Sequence, residues 1–383
     1  MGRRRPGGLA LFVGLVLLAT EARAQGWGRR RREQRKPAEP PETSLVGRIT
    51  TLKEGGARLD WVDDKIAFDM RGPGAVFQLY VMGTDGTNVK CLTCGHPDLP
   101  HGHIGQPAWD PSGRYLAFQA EKGAHPAVHL SQTLTPGSGV LNDLWVLDTA
   151  TNRATMIREV GNTPGHGTLH AHFSSDGAML SWSEMQEKGG LRKGKELGYW
   201  QLMLADFRVV GGRPRLENVT SVTPGGPGFY ENHGFSPDGT RLIFTSNFEA
   251  GKRFENDIYV MDLRSRKATR LTNEGYNEHA IYSPDGRSIA WMSNVGNPSH
   301  GTDYWIMNAD GSNKRRLTHF NQKGHAEYAG AMVVVADLSW RPDGTALAGY
   351  YRRGGAIESM RHPTKIILIE LRPEAIGAPS QRR

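Results

Sequence analysis

The sequence predicts an all-β fold, a six-bladed β-propeller closed by its N-terminal strand. The first observation behind this is a repeated unit of aromatic-x-Pro-Asp-Gly type. It reads Trp109-Asp110-Pro111-Ser112-Gly113, Phe173-Ser174-Ser175-Asp176-Gly177, Phe235-Ser236-Pro237-Asp238-Gly239, Tyr282-Ser283-Pro284-Asp285-Gly286 and Trp340-Arg341-Pro342-Asp343-Gly344. The second is a set of six later apolar strands, Leu79–Met82, Leu144–Leu147, Leu202–Leu204, Ile258–Met261, Tyr304–Met307 and Ile366–Ile369. Short strands at near-regular spacing, with no helical periodicity between them, are the signature of propeller blades.

Each Pro-Asp-Gly unit is a strand end plus a tight turn, because Pro presets its φ and Gly accepts a positive one. An apolar strand follows, such as Leu242-Ile243-Phe244 or Ile289-Ala290-Trp291. Most of the six later strands then pass through an Asp-Gly link, as in Thr84-Asp85-Gly86-Thr87, into a last strand ending Leu-Thr: Leu92-Thr93, Leu271-Thr272 and Leu317-Thr318. Trp145 and Trp305 are expected in the blade core. The first blade lacks its Pro-Asp-Gly turn, with Leu59–Lys65 in its place, and the last blade ends after Ile366–Leu371 without a Leu-Thr strand. Gly47–Leu52 resembles the missing strand and is expected to close the ring, which removes exposed sheet edges.

The propeller accounts for residues 45–371. Before it, Arg3–Arg5, the apolar run Leu9–Thr20 and Ala22-Arg23-Ala24 have the three parts of a secretory signal over residues 1–24. The twelve apolar residues fall short of the roughly 20 that span a bilayer, so no transmembrane span is expected after cleavage. Residues 25–44, with Arg29–Arg32 and Pro37, Pro40 and Pro41, read as a basic, extended tether, and 372–383 as a tail. A periplasmic or secreted monomer follows as the expectation. The net charge of +8 belongs to the leader: residues 1–36 hold ten Arg/Lys and two Glu, while residues 37–383 balance at 37 against 37. Nucleic acid is therefore not an expected partner. Export also puts Cys91 and Cys94 in an oxidising space, where a local disulfide, free thiols and a metal site with His96, His101 or His103 all remain open.

The repeats resemble the WD40-like repeats of TolB-type propellers. Asp303–Asn313 leading to Arg316-Leu317-Thr318, with the Ser-Pro-Asp-Gly turns at 236–239 and 283–286, carries the likeness. The resemblance implies a periplasmic six-bladed propeller that binds or docks, with an envelope protein as one expected partner. Nothing matches the N-terminal domain that TolB itself carries before its propeller.

Both kinds of short turn lie on one face of such a ring, so the long segments lie on the other, where function usually sits. Counting back six residues from the turn Asp gives a polar column at the channel mouth: Gln106, His170, Asn232, His279 and Asp337. Glu231, Glu278, His172 and His233 adjoin it. A water-filled funnel, a pocket for a small-molecule, peptide or saccharide ligand, and a divalent-metal site all fit this column. In the metal version, His170, His172, His233 and His279 hold one Mn²⁺, Zn²⁺ or Fe²⁺, since neutral imidazoles suit these ions. Gln106, Asn232, Glu231, Glu278 and Asp337 are then ligand-binding candidates. His170–Gly177 also resembles the His-x-His segment of oligogalacturonate lyases, which implies a metal-dependent lyase acting on an acidic saccharide, with His233 or His279 as a further ligand. Gly167 stands where that family offers a glutamine. No Gly-x-Ser-x-Gly elbow is present, so a hydrolase is not expected.

Overall fold

The computed structural model describes residues 44–122, 136–163, 165–187, 197–249, 255–297, 300–354 and 364–376. The expected leader and most of the tether and tail lie outside them. Among the described residues no helix is long and apolar enough to cross a membrane.

The chain starts with β1 (Val46–Glu54) and then lays down five complete four-stranded sheets in order. Blade 1 is β2 (Gly56–Val62), β3 (Lys65–Arg71), β4 (Phe77–Gly83) and β5 (Lys90–Cys91). Blade 2 is β6 (Ile104–Trp109), β7 (Tyr115–Glu121), β8 (Asn142–Asp148) and β9 (Arg153–Arg158). Blade 3 comprises β10 (Thr168–Phe173), β11 (Met179–Glu187), β12 (Tyr199–Val210) and β13 (Arg213–Ser221). In blade 4 these are β14 (Tyr230–Phe235), β15 (Arg241–Ser246), β16 (Asp257–Asp262) and β17 (Ala268–Arg270). Blade 5 has β18 (Asn277–Tyr282), β19 (Ser288–Ser293), β20 (Asp303–Asn308) and β21 (Arg315–Arg316). Blade 6 has β22 (Val333–Trp340), β23 (Ala346–Arg353) and β24 (Lys365–Leu371), and β1 completes it, antiparallel to β24 with Ile49 opposite Ile369. The N-terminal strand therefore closes the ring as the sequence predicts.

The core sits between blades, where facing sheets bury alternate residues. Ile243, Ile258 and Val260 of blade 4 pack on Ile289, Trp291 and Met307 of blade 5, and Leu59, Trp61 and Phe68 of blade 1 meet Ala348 and Ile366 of blade 6. Trp182 and Trp291 are fully buried, whereas Trp145 and Trp305 pack on the core from half-buried positions. The turns carry their own hydrogen bonds. In the blade 5 turn Ser283 Oγ donates to Asp285 Oδ1 at 2.6 Å and accepts from the Ser288 N–H at 2.9 Å, while Gly286 takes a φ of 70°. Ser283 is buried. Ser283→Ala is expected to cost about 1 kcal/mol, the net worth of such a bond, read as a lower urea midpoint with an unchanged slope. Cys91 and Cys94 form a disulfide, which settles the three alternatives open in the sequence.

Candidate metal centre

The inner strand of each blade breaks its pairing once, over two residues. The registers of β2, β6, β10, β14, β18 and β22 shift between Gly56 and Leu59, Gly105 and Ala108, Leu169 and His172, Asn232 and Phe235, Glu278 and Ile281, and Val335 and Leu338. Such a bulge leaves residues unpaired and re-aims their side chains. Gln106, His170 and His279 consequently sit at φ of 52°, 49° and 52°, where non-glycine residues are uncommon. Blade 4 places Gly234 there instead, at 92°.

The bulges deliver Arg58, Gln106, His170, His233, His279 and Asp337 to one small cavity of about 30 Å³, which His172 also lines. That is room for one or two water-sized occupants, and too little for a sugar ring. Ligand atoms of His170, His233 and His279 all lie within 4.8 Å of one another, and so do those of Glu231, Glu278 and His279. Glu231 Oε1 approaches His170 Nε2 at 3.0 Å, and Asp337 Oδ1 stands 3.8 Å from His279 Nδ1. Neighbours orient the rings, as ligand imidazoles require. Gln106 Nε2 contacts His170 Nε2 at 2.9 Å, and Thr245 Oγ1 contacts His233 Nε2 at 2.8 Å. Two buried atoms in the cluster, Glu231 Oε2 and His279 Nδ1, have no hydrogen-bond partner.

Burial pushes the His170 imidazole below its ordinary range and His233 far below it, which favours the neutral form of both rings. Burial, and then repulsion from Glu231, raises Glu278 to about 7; burial, with Asp337 adding, raises Glu231 to about 7. Burial opposes ionisation of Asp337, but His279, His170 and Arg58 outweigh it and keep this carboxyl below its usual value. The two glutamates set a pH dependence. Their folded pKa lies above the unfolded one, so the metal-free protein takes up protons on folding, and the stability gained below about pH 4.5 is lost as pH rises through 7. The lowered imidazoles of His170, His172 and His233 act in the opposite sense over the same range, so the glutamate contribution is read as a difference: relative to Glu231→Gln, the metal-free parent is expected to lose melting temperature between pH 5 and 8 in a thermal scan.

The structure brings together His170, His233 and His279 of the four histidines expected as ligands. His172 stands aside: it stacks on His170 with ring centroids 6.4 Å apart, and burial then the His170 ring lower it to about 3. The bulge at His170 breaks the simple alternation that would align a His-x-His pair. Asn232 lies outside the cavity lining. It is fully buried and donates from Nδ2 to His170 O at 2.8 Å and Ser181 O at 3.2 Å, tying blade 3 to blade 4, and His233 takes its place in the column. Arg58 and Asp69 were not read from the sequence at all. Arg58 holds Asp69 through two hydrogen bonds, Nε to Oδ2 at 2.6 Å and a terminal nitrogen to Oδ1 at 2.8 Å, and Asp69 Oδ2 also accepts the Gln106 N–H at 2.9 Å. The signal was present: Arg58 lies six residues before Asp64 in the turn that lacks its Pro-Asp-Gly.

Fold and repeats together define a TolB-like six-bladed β-propeller with a histidine-lined channel. No family model matches the chain. It is similar to the Tol-Pal system protein TolB of Anaeromyxobacter dehalogenans strain 2CP-C, 24% identical over 232 residues, which cover 55% of this chain and 48% of that protein. It is also similar to dipeptidyl-peptidase 5 of Porphyromonas endodontalis, 26% identical over 283 residues, 64% of this chain and 37% of the relative. The chain thus spans about half the length, or less, of these curated relatives. Among solved structures, TolB from Acinetobacter baumannii superposes with a TM-score of 0.51 at 18% identity, covering 80% of this chain and 63% of that one. An oligogalacturonate lyase from Vibrio parahaemolyticus gives 0.50 at 11% identity, covering 85% and 94%. At these identities the likeness is one of fold.

Proposed function

We propose that the chain is an exported binding protein whose channel mouth holds one divalent cation, Mn²⁺, Zn²⁺ or Fe²⁺, and presents it to an acidic ligand or envelope partner on the loop face. The observation that carries this reading is the buried cluster of His170, His233 and His279, with His279 Nδ1 and Glu231 Oε2 left without partners. A cation fits the set: imidazole and carboxylate donors suit these ions, and a site of three imidazoles leaves coordination positions for a ligand oxygen. Glu231 and Asp337 would orient or add to the ligands. The disulfide and the leader-like start support export.

The test is the metal content of untagged protein by mass spectrometry, before and after addition of Mn²⁺, Zn²⁺ or Fe²⁺. About one equivalent, absent from a His170→Ala/His279→Ala variant, is the expected result. No metal in the parent after all three additions would overturn the reading.

A second reading, a metal-dependent lyase on an acidic saccharide, draws on Arg58 and Asp337 in the cavity wall. The cation would bind a uronate carboxylate and acidify the neighbouring C–H, and Asp337, held ionised, could receive the proton. The sugar would have to stand above the cavity, on the loop side. An unsaturated product from oligogalacturonate, lost in Asp337→Asn, would favour the lyase over simple binding.

A further inference from the structure

The Cys91–Cys94 disulfide lies away from the channel cluster and joins residues three apart. A loop this short restrains the unfolded chain little. The local structure is also held without it. Thr93 Oγ1 accepts the Leu79 N–H at 2.9 Å and donates to Gln78 Oε1 at 2.7 Å, and Leu92 N–H donates to Leu79 O at 2.8 Å. Anchoring β5 is therefore a weak reason for the bond.

Its two sulfurs differ in access. Cys94 is exposed and lines a cleft of about 300 Å³ with Val76, Gly95, Leu99 and His101. Cys91 is half-buried and outside that lining; its Sγ accepts the Cys94 backbone N–H at 3.1 Å but also lies 3.5 Å from the Leu79 carbonyl oxygen, while Cys94 Sγ lies 3.7 Å from the Tyr80 hydroxyl. Exchange depends on which sulfur an attacking thiol can reach, and here only Cys94 opens onto the cleft.

We propose that Cys91–Cys94 is a thiol–disulfide exchange site, entered at Cys94 by a small thiol that occupies this cleft. The incoming thiolate attacks Cys94 Sγ, the Cys91–Cys94 bond breaks, and its electron pair leaves on Cys91 Sγ. A new bond joins the thiol to Cys94, so the incoming thiol is oxidised as Cys91 is reduced, and no further oxidant is needed. The Cys91 thiolate then takes a proton from water, or attacks Cys94 and expels the thiol.

Glutathione is the probe. The full chain is incubated with it under native conditions, quenched in acid, alkylated with N-ethylmaleimide and read by peptide mass spectrometry. Glutathione on Cys94 with maleimide on Cys91, at least ten-fold over the reverse arrangement, is expected. The reverse arrangement, or a bond that reacts only in denaturant, overturns the proposal. A second glutathione could strip the adduct from the parent, so Cys91→Ser, which cannot expel it, is treated with oxidised glutathione. One adduct per chain at Cys94 is expected while the circular dichroism spectrum matches the parent. A folded Cys91→Ser chain that takes none would overturn the site.

Discussion

Replacing His233 by Ala is expected to weaken divalent-cation binding at least 100-fold, while His172→Ala changes it by less than about three-fold, both read by calorimetric titration of untagged protein. The contrast follows from geometry. His233 is one of three imidazoles whose ligand atoms share a 4.8 Å cluster, and its ring is fixed by Thr245 and by the His279 N–H at 3.2 Å. His172 borders the same cavity but belongs to neither donor cluster. Loss of a direct ligand removes a bond to the ion. Loss of His172 removes a ring that gives no donor atom to either cluster and stacks on His170 only at 6.4 Å between centroids, so packing alone is lost. Equal losses in the two variants would move the ion toward His170 and His172 and away from the trio.

The second large effect is structural. Asp69→Ala is expected to destabilise the fold by about 3–5 kcal/mol, because it leaves the Arg58 guanidinium buried without its counter-charge. Asp69 has no exposed surface, and the Arg58 side chain is only 13% exposed. The same substitution removes the acceptor of the Gln106 N–H at the blade 2 bulge. Double replacement of Arg58 by Met and Asp69 by Leu removes both charges together, and it is expected to recover most of the loss. The check is chemical denaturation followed by tryptophan fluorescence. A single variant as stable as the parent would show that Asp69 neither compensates Arg58 within blade 1 nor ties blade 1 to blade 2 through the Gln106 N–H.

The blades were legible in the sequence because their signals are local. A Pro-Asp-Gly turn, an alternating apolar strand and an Asp-Gly link each act within a few residues, and five copies make the pattern hard to mistake. Ring closure was legible for the same reason, since Gly47–Leu52 looks like a last strand with no blade of its own. The channel was only partly legible. Counting six back from each turn found Gln106, His170, His279 and Asp337, since these positions keep one distance from the turn. It failed at Asn232 because blade 4 puts the left-handed residue at Gly234, which moves the channel-facing side chain to His233. Blade 1 gave no column residue because Leu59–Lys65, which stands in place of its Pro-Asp-Gly turn, holds Asp60, Asp63 and Asp64 and so offers no single Asp to count from. The bulges themselves leave no residue-type signature, since Gln106, His170 and His279 adopt positive φ without being glycine.

The repeated bulge has a consequence for how such a channel can change over generations. In all six blades the backbone break comes from the strand geometry, and the residue it exposes differs freely: Arg58, Gln106, His170, His233, His279 and Asp337. These positions behave as six sockets around one axis, insulated from the interblade cores that hold the ring together. Substitution in a socket can alter the chemistry at the mouth while the blade beneath keeps its packing, and a duplicated blade brings a fresh socket with it. A scaffold of this kind separates the selection that maintains folding from the selection that tunes binding.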